Sequence, residues 1–166
     1  MSNKKFKGAF SLLEVLIAIV LVGLAVASLV IANGSFTKAN ASGTNLSTAE
    51  FLLEQVREMT VLLPVVDPVT GYDTFGPEAD ETALADYDDL DDLDTLSLSP
   101  PINADRTLLN DFAAYTQQIT VQNVSAGNFE QVVGSHTGFV RVTVKVFLNS
   151  SQVISADWVR AVYEDL

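Results

Sequence analysis

The chain of 166 residues contains no cysteine. That excludes a disulfide framework and any thiolate metal site, while leaving the compartment open. Histidine occurs once, at His136. With no second histidine and no nucleophile motif beside it, the arrangements that hydrolysis and metal catalysis need are missing, and the chain does not read as an enzyme. Positive charge is scarce as well: 9 Lys+Arg stand against 21 Asp+Glu, for a formal net charge of −12. Between Met59 and Asp105 there is no basic residue at all. Such a surface repels phosphates, which excludes a nucleic acid partner; cations or a basic protein surface would suit it.

What is present begins with a short basic leader. Lys4, Lys5 and Lys7 precede KGAFSLLEVLIAIVLVGLAVASLVIA, in which residues 15–32 carry no charge. Residues 10–32 are long enough to span a hydrocarbon core at 1.5 Å per residue. Basic residues ahead of the span predict a cytoplasmic N-terminus and an exported remainder. Glu14 stands out here, because a lone carboxylate at bilayer depth costs roughly 2.5–3.5 kcal/mol even on a lenient scale.

Beyond the apolar run, NGSFTKANASGTNLST is small and polar, and Gly34 and Gly43 each weaken helix by about 1 kcal/mol relative to Ala. AEFLLEQVREMTVLL then places Ala49, Leu53, Val56 and Leu63 on one face at helical spacing, and Pro64 ends the run. The pattern predicts one long helix over about 11–62 with a soft middle. Two helices parted by a loop are the alternative.

Residues 64–111 form a loop-rich insert holding all five prolines, at 64, 68, 77, 100 and 101, and most of the acid. Leu84, Tyr87, Leu90 and Leu93 recur every three residues, with Asp86, Asp88, Asp89, Asp91, Asp92 and Asp94 between them. This predicts a short amphipathic turn with its apolar stripe inward and its carboxylates outward. The last third alternates as strands do. Ile119 and Val121 oppose Thr120 and Gln122; Val140, Val142, Val144 and Val146 oppose Arg141, Thr143 and Lys145; LNSSQ turns the chain into VISADWVRAVY. The expected fold class is α+β: a long N-terminal helix, its first half transmembrane, packed on a C-terminal antiparallel sheet of three or more strands.

The run K-G-A-F-S-L-L-E-V followed by about twenty apolar residues resembles the N-terminal signature of type IV pilins and pseudopilins. The resemblance implies a leader of residues 1–9, a membrane and assembly helix over 10–32, and a pilin-like globular domain over 33–166 that contains the acidic insert. It further implies that a prepilin peptidase cuts between Ala9 and Phe10 and methylates the Phe10 amine. Ala9 is one residue more than the usual pattern has between Gly and Phe, so a cut between Gly8 and Ala9 is the alternative. Cutting before Phe10 puts Glu14 fifth; one residue of slip would rotate it by about 100° on the helix. At that place the resemblance makes Glu14 a registry device. Its carboxylate lies beside the N-terminal amine of a neighbouring subunit, so that neither ion is buried alone. A looser resemblance links Tyr87–Asp92 and Pro100–Pro101 to minor pilins of the PilV-like and mannose-sensitive haemagglutinin groups.

The expected function is therefore a minor pilin-like structural subunit, which primes, tips or decorates a type IV filament. Its partners would be other pilins or pseudopilins, the peptidase and an inner-membrane assembly platform. It would reside in the bacterial inner membrane with its globular domain exported, and then in the filament. A minor pseudopilin of type II secretion is the alternative within the superfamily. A membrane-tethered ligand- or calcium-binding module is the alternative of another class.

Other readings of single features stand beside these. Ala25-Val26-Ala27 would serve as the cleavage site of a secretory signal peptide. Asp86, Asp88, Asp89, Asp91 and Asp92 are candidate ligands for Ca²⁺, although Leu90 breaks the order of an EF-hand loop. A solvated acidic face with no cofactor is the plainer reading. Trp158 and Phe139 are expected to pack in the core.

Overall fold

The computed structural model describes residues 11–72 and 74–162. The chain divides into two compact units, one ending at Gly43 and the other beginning at Thr44. One helix, α1 (Leu12–Leu62), contributes to both and is unbroken through Gly34 and Gly43. In the first unit its polar residues bond back to the preceding turn. Ser28 Oγ donates to Leu24 O at 2.9 Å, Ser35 Oγ to Ile31 O at 3.1 Å and Thr37 Oγ1 to Asn33 O at 3.0 Å. Hydroxyls satisfied this way can sit in an apolar helix without seeking water.

In the second unit α1 turns amphipathic. Ala49, Leu52, Leu53, Val56, Met59 and Thr60 are buried, and Leu63 just beyond the helix is buried too. The helix stops at Leu62, two residues before Pro64, whose preceding residue is disfavoured in the helical region.

The sheet has five strands, β1 (Ser97–Leu98), β2 (Tyr115–Ser125), β3 (Asn128–Val132), β4 (Phe139–Leu148) and β5 (Ser151–Ala161). The order is β1-β2-β4-β5, all neighbours are antiparallel, and β3 pairs with the far end of β2. The β2–β4 register sets Ile119 against Val144 and Val121 against Val142, so one face is a continuous apolar layer. Val140, Val142, Val144 and Val146 are all buried, each contributing about 1.5–3 kcal/mol relative to exposure. They form one cluster with the buried face of α1, with Leu90 and Leu93 of the insert, and with Ile102. The β4–β5 hairpin closes through Asn149 and Ser150, both at positive φ, as a two-residue turn matched to strand twist requires.

Gln117 crosses this core. It is fully buried, and its Nε2 donates to Leu52 O of α1 at 2.8 Å and to Ile102 O at 3.1 Å, while its Oε1 accepts the Ile102 amide at 2.8 Å. Arg160 of β5 reaches the end of α1, where its guanidinium donates to Thr60 O and Leu63 O and so satisfies carbonyls that the helix leaves open.

Two expectations are corrected here. The carboxylates of the acidic stretch do not all face solvent: Asp89 and Asp92 are each 1% exposed. The expected short turn is present as the three-residue 3₁₀ turn Asp91–Leu93, and these two side chains fold back onto backbone amides of residues 88, 89, 91 and 92. Trp158 does pack against the core, with Arg57 lying 5.5 Å over its ring. Phe139 instead lies beside Phe129, ring centroids 5.3 Å apart, outside the core cluster.

Candidate functional site

Two places concentrate chemistry, one in each unit. The first is the start of α1. Ser11 stands immediately before the helix; its carbonyl accepts the Val15 amide at 3.2 Å and its Oγ accepts the Glu14 amide at 3.2 Å. This is the N-cap arrangement, with Glu at the third helical position as in a capping box. A carboxylate there also faces the positive end of the helix dipole. Glu14 thus has a local role that the membrane argument overlooks, and the S-x-x-E spacing of residues 11–14 is its sequence signal. The side chain itself is exposed, as are all the large apolar residues from Leu12 (83%) to Ile31 (71%). Among the described residues this is the one helix long and apolar enough to cross a membrane. Gly8, Ala9 and Phe10, the residues of the expected cleavage site, lie outside the described residues.

The second place is the acidic insert, fastened at both ends. The Leu90 amide donates to Pro64 O at 3.1 Å, just past α1, and β2 takes up the other end through Ile119 N to Leu96 O at 2.9 Å and Val121 N to Asp94 Oδ1 at 2.8 Å. Within it, Asp89 and Asp92 grip the turn from opposite sides. Asp89 Oδ1 accepts the amides of Asp91 (2.9 Å) and Asp92 (3.3 Å), and Asp92 Oδ2 accepts those of Asp88 (3.0 Å) and Asp89 (3.1 Å). The second oxygen of each, Asp89 Oδ2 and Asp92 Oδ1, is buried and has no hydrogen-bond partner, as is Glu78 Oε2.

One carboxylate oxygen from each of Asp89, Asp91 and Asp92 lies within 4.8 Å of the others, and Glu78, Glu81 and Asp92 form a second such triad. Burial, with the neighbouring carboxylates next, pushes Asp89 up to about 8. Burial likewise raises Glu78, Glu81, Asp91 and Asp92 above the usual carboxylate range. Among the described residues the ion pairs are Arg57–Glu54 and Arg141–Glu130, so none reaches this cluster. Arg106 is near, but its guanidinium donates to Leu84 O and Ala85 O.

Of the five aspartates expected together, the structure brings carboxylate oxygens of Asp89, Asp91 and Asp92 within 4.8 Å of one another. Asp86 turns away, its Oδ2 accepting the amides of Thr82 (3.2 Å) and Ala83 (2.9 Å), and Asp88 stays exposed. Glu78 and Glu81 enter instead. Sequence gave no local signal for them beyond the lack of any basic residue nearby. Gln117 was readable, since it shares the phase of Ile119 and Val121 on β2 and must point inward.

His136 lies in the loop between β3 and β4. Its ring centroid is 3.7 Å from that of Tyr72, and its Nε2 accepts the Gly138 amide at 3.0 Å. Burial lowers its pKa below 6.5. Ring packing and loop closure account for both contacts.

Compared with known proteins, residues 4–30 match the family model described as the prokaryotic N-terminal methylation motif. No curated protein and no solved structure matches the chain. The motif supports a type IV pilin-like or pseudopilin protein, a structural subunit rather than an enzyme, anchored in a membrane by its apolar helix before assembly.

Proposed function

We propose that the chain is a minor pilin-like subunit of a type IV filament system, cut between Ala9 and Phe10 and assembled through α1. The observation that supports this best is the apolar, charge-free face of α1 beyond Glu14, which is exposed all round in the isolated chain. Water is the wrong solvent for such a surface; lipid covers it before assembly, and the helices of neighbouring subunits cover it afterwards. Glu14 then offers the one carboxylate in that wall to the methylated amine of the next subunit. The acidic, well-folded second unit suits display at a tip or on a shaft better than close self-packing, because the cut removes Lys4, Lys5 and Lys7, takes the formal side-chain charge from −12 to −15, and leaves copies that repel one another.

Mass spectrometry of the mature N-terminus tests the reading. N-methylated Phe10 is the expected result. A terminus at Ser28 would identify a secretory signal and leave an ordinary exported domain.

A further inference from the structure

We propose that Asp92, together with Asp89 and Asp91 in one triad and Glu78 and Glu81 in the other, forms a binding site for a Ca²⁺-class divalent cation. The reasoning starts from unmet demand. Asp89 and Asp92 are each 1% exposed, and each spends one oxygen on two backbone amides while the other oxygen takes no donor. Glu78 repeats the pattern: Oε1 accepts the Thr70 hydroxyl at 3.0 Å, and Oε2 is buried without a partner. A buried polar atom left unsatisfied is unfavourable, and here there are three, with Asp92 close to Asp89 in one triad and to Glu78 in the other. No guanidinium or ammonium is paired with them among the described residues. What is missing is positive charge at the point where the triads share Asp92.

The chemistry selects the ion. Every donor is a carboxylate oxygen, which disfavours zinc and copper, whose sites use imidazole or thiolate. Two ligands on opposite sides of Ca²⁺ stand about 5 Å apart, twice the usual Ca–O distance, and the oxygens of each triad lie within 4.8 Å of one another. Magnesium demands near-octahedral geometry and keeps several waters, whereas calcium accepts six to eight oxygens in irregular loops. The amide bonds already hold Asp89 and Asp92 in place, so binding needs little further ordering. The site is independent of filament assembly, so either proposal can fail without the other.

Thermal unfolding of the full chain in detergent, followed by circular dichroism, tests it with CaCl₂ as the probe after treatment with chelator. Millimolar CaCl₂ is expected to raise the midpoint by about 5 °C, and equimolar MgCl₂ to raise it less. Asp92→Asn, which removes a charge from both triads while keeping an acceptor for the amides, should weaken calcium binding at least about tenfold by titration calorimetry. Should Asp92→Asn not fold, Glu78→Gln provides the same test at a looser position. Asp86→Asn should leave calcium binding unchanged. No midpoint shift with CaCl₂, an equal shift with MgCl₂, or wild-type affinity in Asp92→Asn and Glu78→Gln would overturn the proposal.

Discussion

Asp89 and Asp92 each accept the other's backbone amide, at 3.3 and 3.1 Å, and so clasp the turn that carries Leu90 and Leu93 into the core. The turn therefore needs these side chains as acceptors, apart from any charge they bear. In excess chelator, Asp92→Ala should cost about 2 kcal/mol in urea unfolding, since two amides lose their partner. Asp92→Asn should cost much less. Equal losses in the two variants would show that the charge, not the acceptor, supports the turn.

Gln117 makes a second prediction. Replacing it with Leu keeps much of its volume but strands the Ile102 amide and two carbonyls, for an expected loss of about 3 kcal/mol. Glu at the same site should be worse still, because a buried carboxylate would face the carbonyls of Leu52 and Ile102. Chemical denaturation in detergent measures both. A Leu variant as stable as the parent would mean that the three bonds hold nothing.

At the end of α1, Arg160→Ala should destabilise by about 1–2 kcal/mol, through loss of charge-assisted bonds to Thr60 O and Leu63 O. Arg160→Lys should recover only part of this, because one ammonium cannot reproduce the planar fork. Hydrogen exchange would place the effect, with faster exchange in the last turn of α1.

Capping and registry can be separated at Glu14. Glu14→Gln leaves the Ser11 cap on the residue-14 amide in place and removes the charge. Membrane insertion should be normal and incorporation into filaments strongly reduced. Ser11→Ala should do the reverse, costing about 1 kcal/mol at the helix start while leaving the charge in place. Filaments that incorporate Glu14→Gln as readily as the parent would sink the registry role.

For His136 the sign follows from burial. Its folded-state pKa lies below 6.5, so the neutral ring is favoured in the fold. That contribution is fully present above pH 6.5 and is lost as pH falls through the depressed value. Protonation also removes the acceptor of the Gly138 amide. An NMR titration should find the midpoint below 6.5, and the stability difference between the parent and His136→Phe should change over the same range.

Much of the fold was legible because it rests on periodic burial. The helix expected over about 11–62 is Leu12–Leu62, and its stated face of Ala49, Leu53, Val56 and Leu63 is buried. The valines of β4 point inward as their alternation requires. β3 escaped notice because all five of its residues are exposed, so no face alternates. The insert was half legible. Its leucine stripe marks the residues that dock, but a period of three implies nothing about side chains that fold back onto their own amides. That local bonding buried Asp89 and Asp92 against the usual rule for acids. Glu78 and Glu81 join them through loop geometry, which leaves no trace in the spacing.

Two of the side-chain ties on α1 have a mechanical meaning. Gln117 holds the helix at Leu52, and Arg160 holds it at Thr60 and at Leu63 just past its end, from different strands of one sheet. A pull along the helix axis would load these anchors together, in shear, instead of peeling them one at a time. Within the second unit, then, the helix is riveted rather than laid on its sheet, and tension on α1 would pass into β2 and β5 at once.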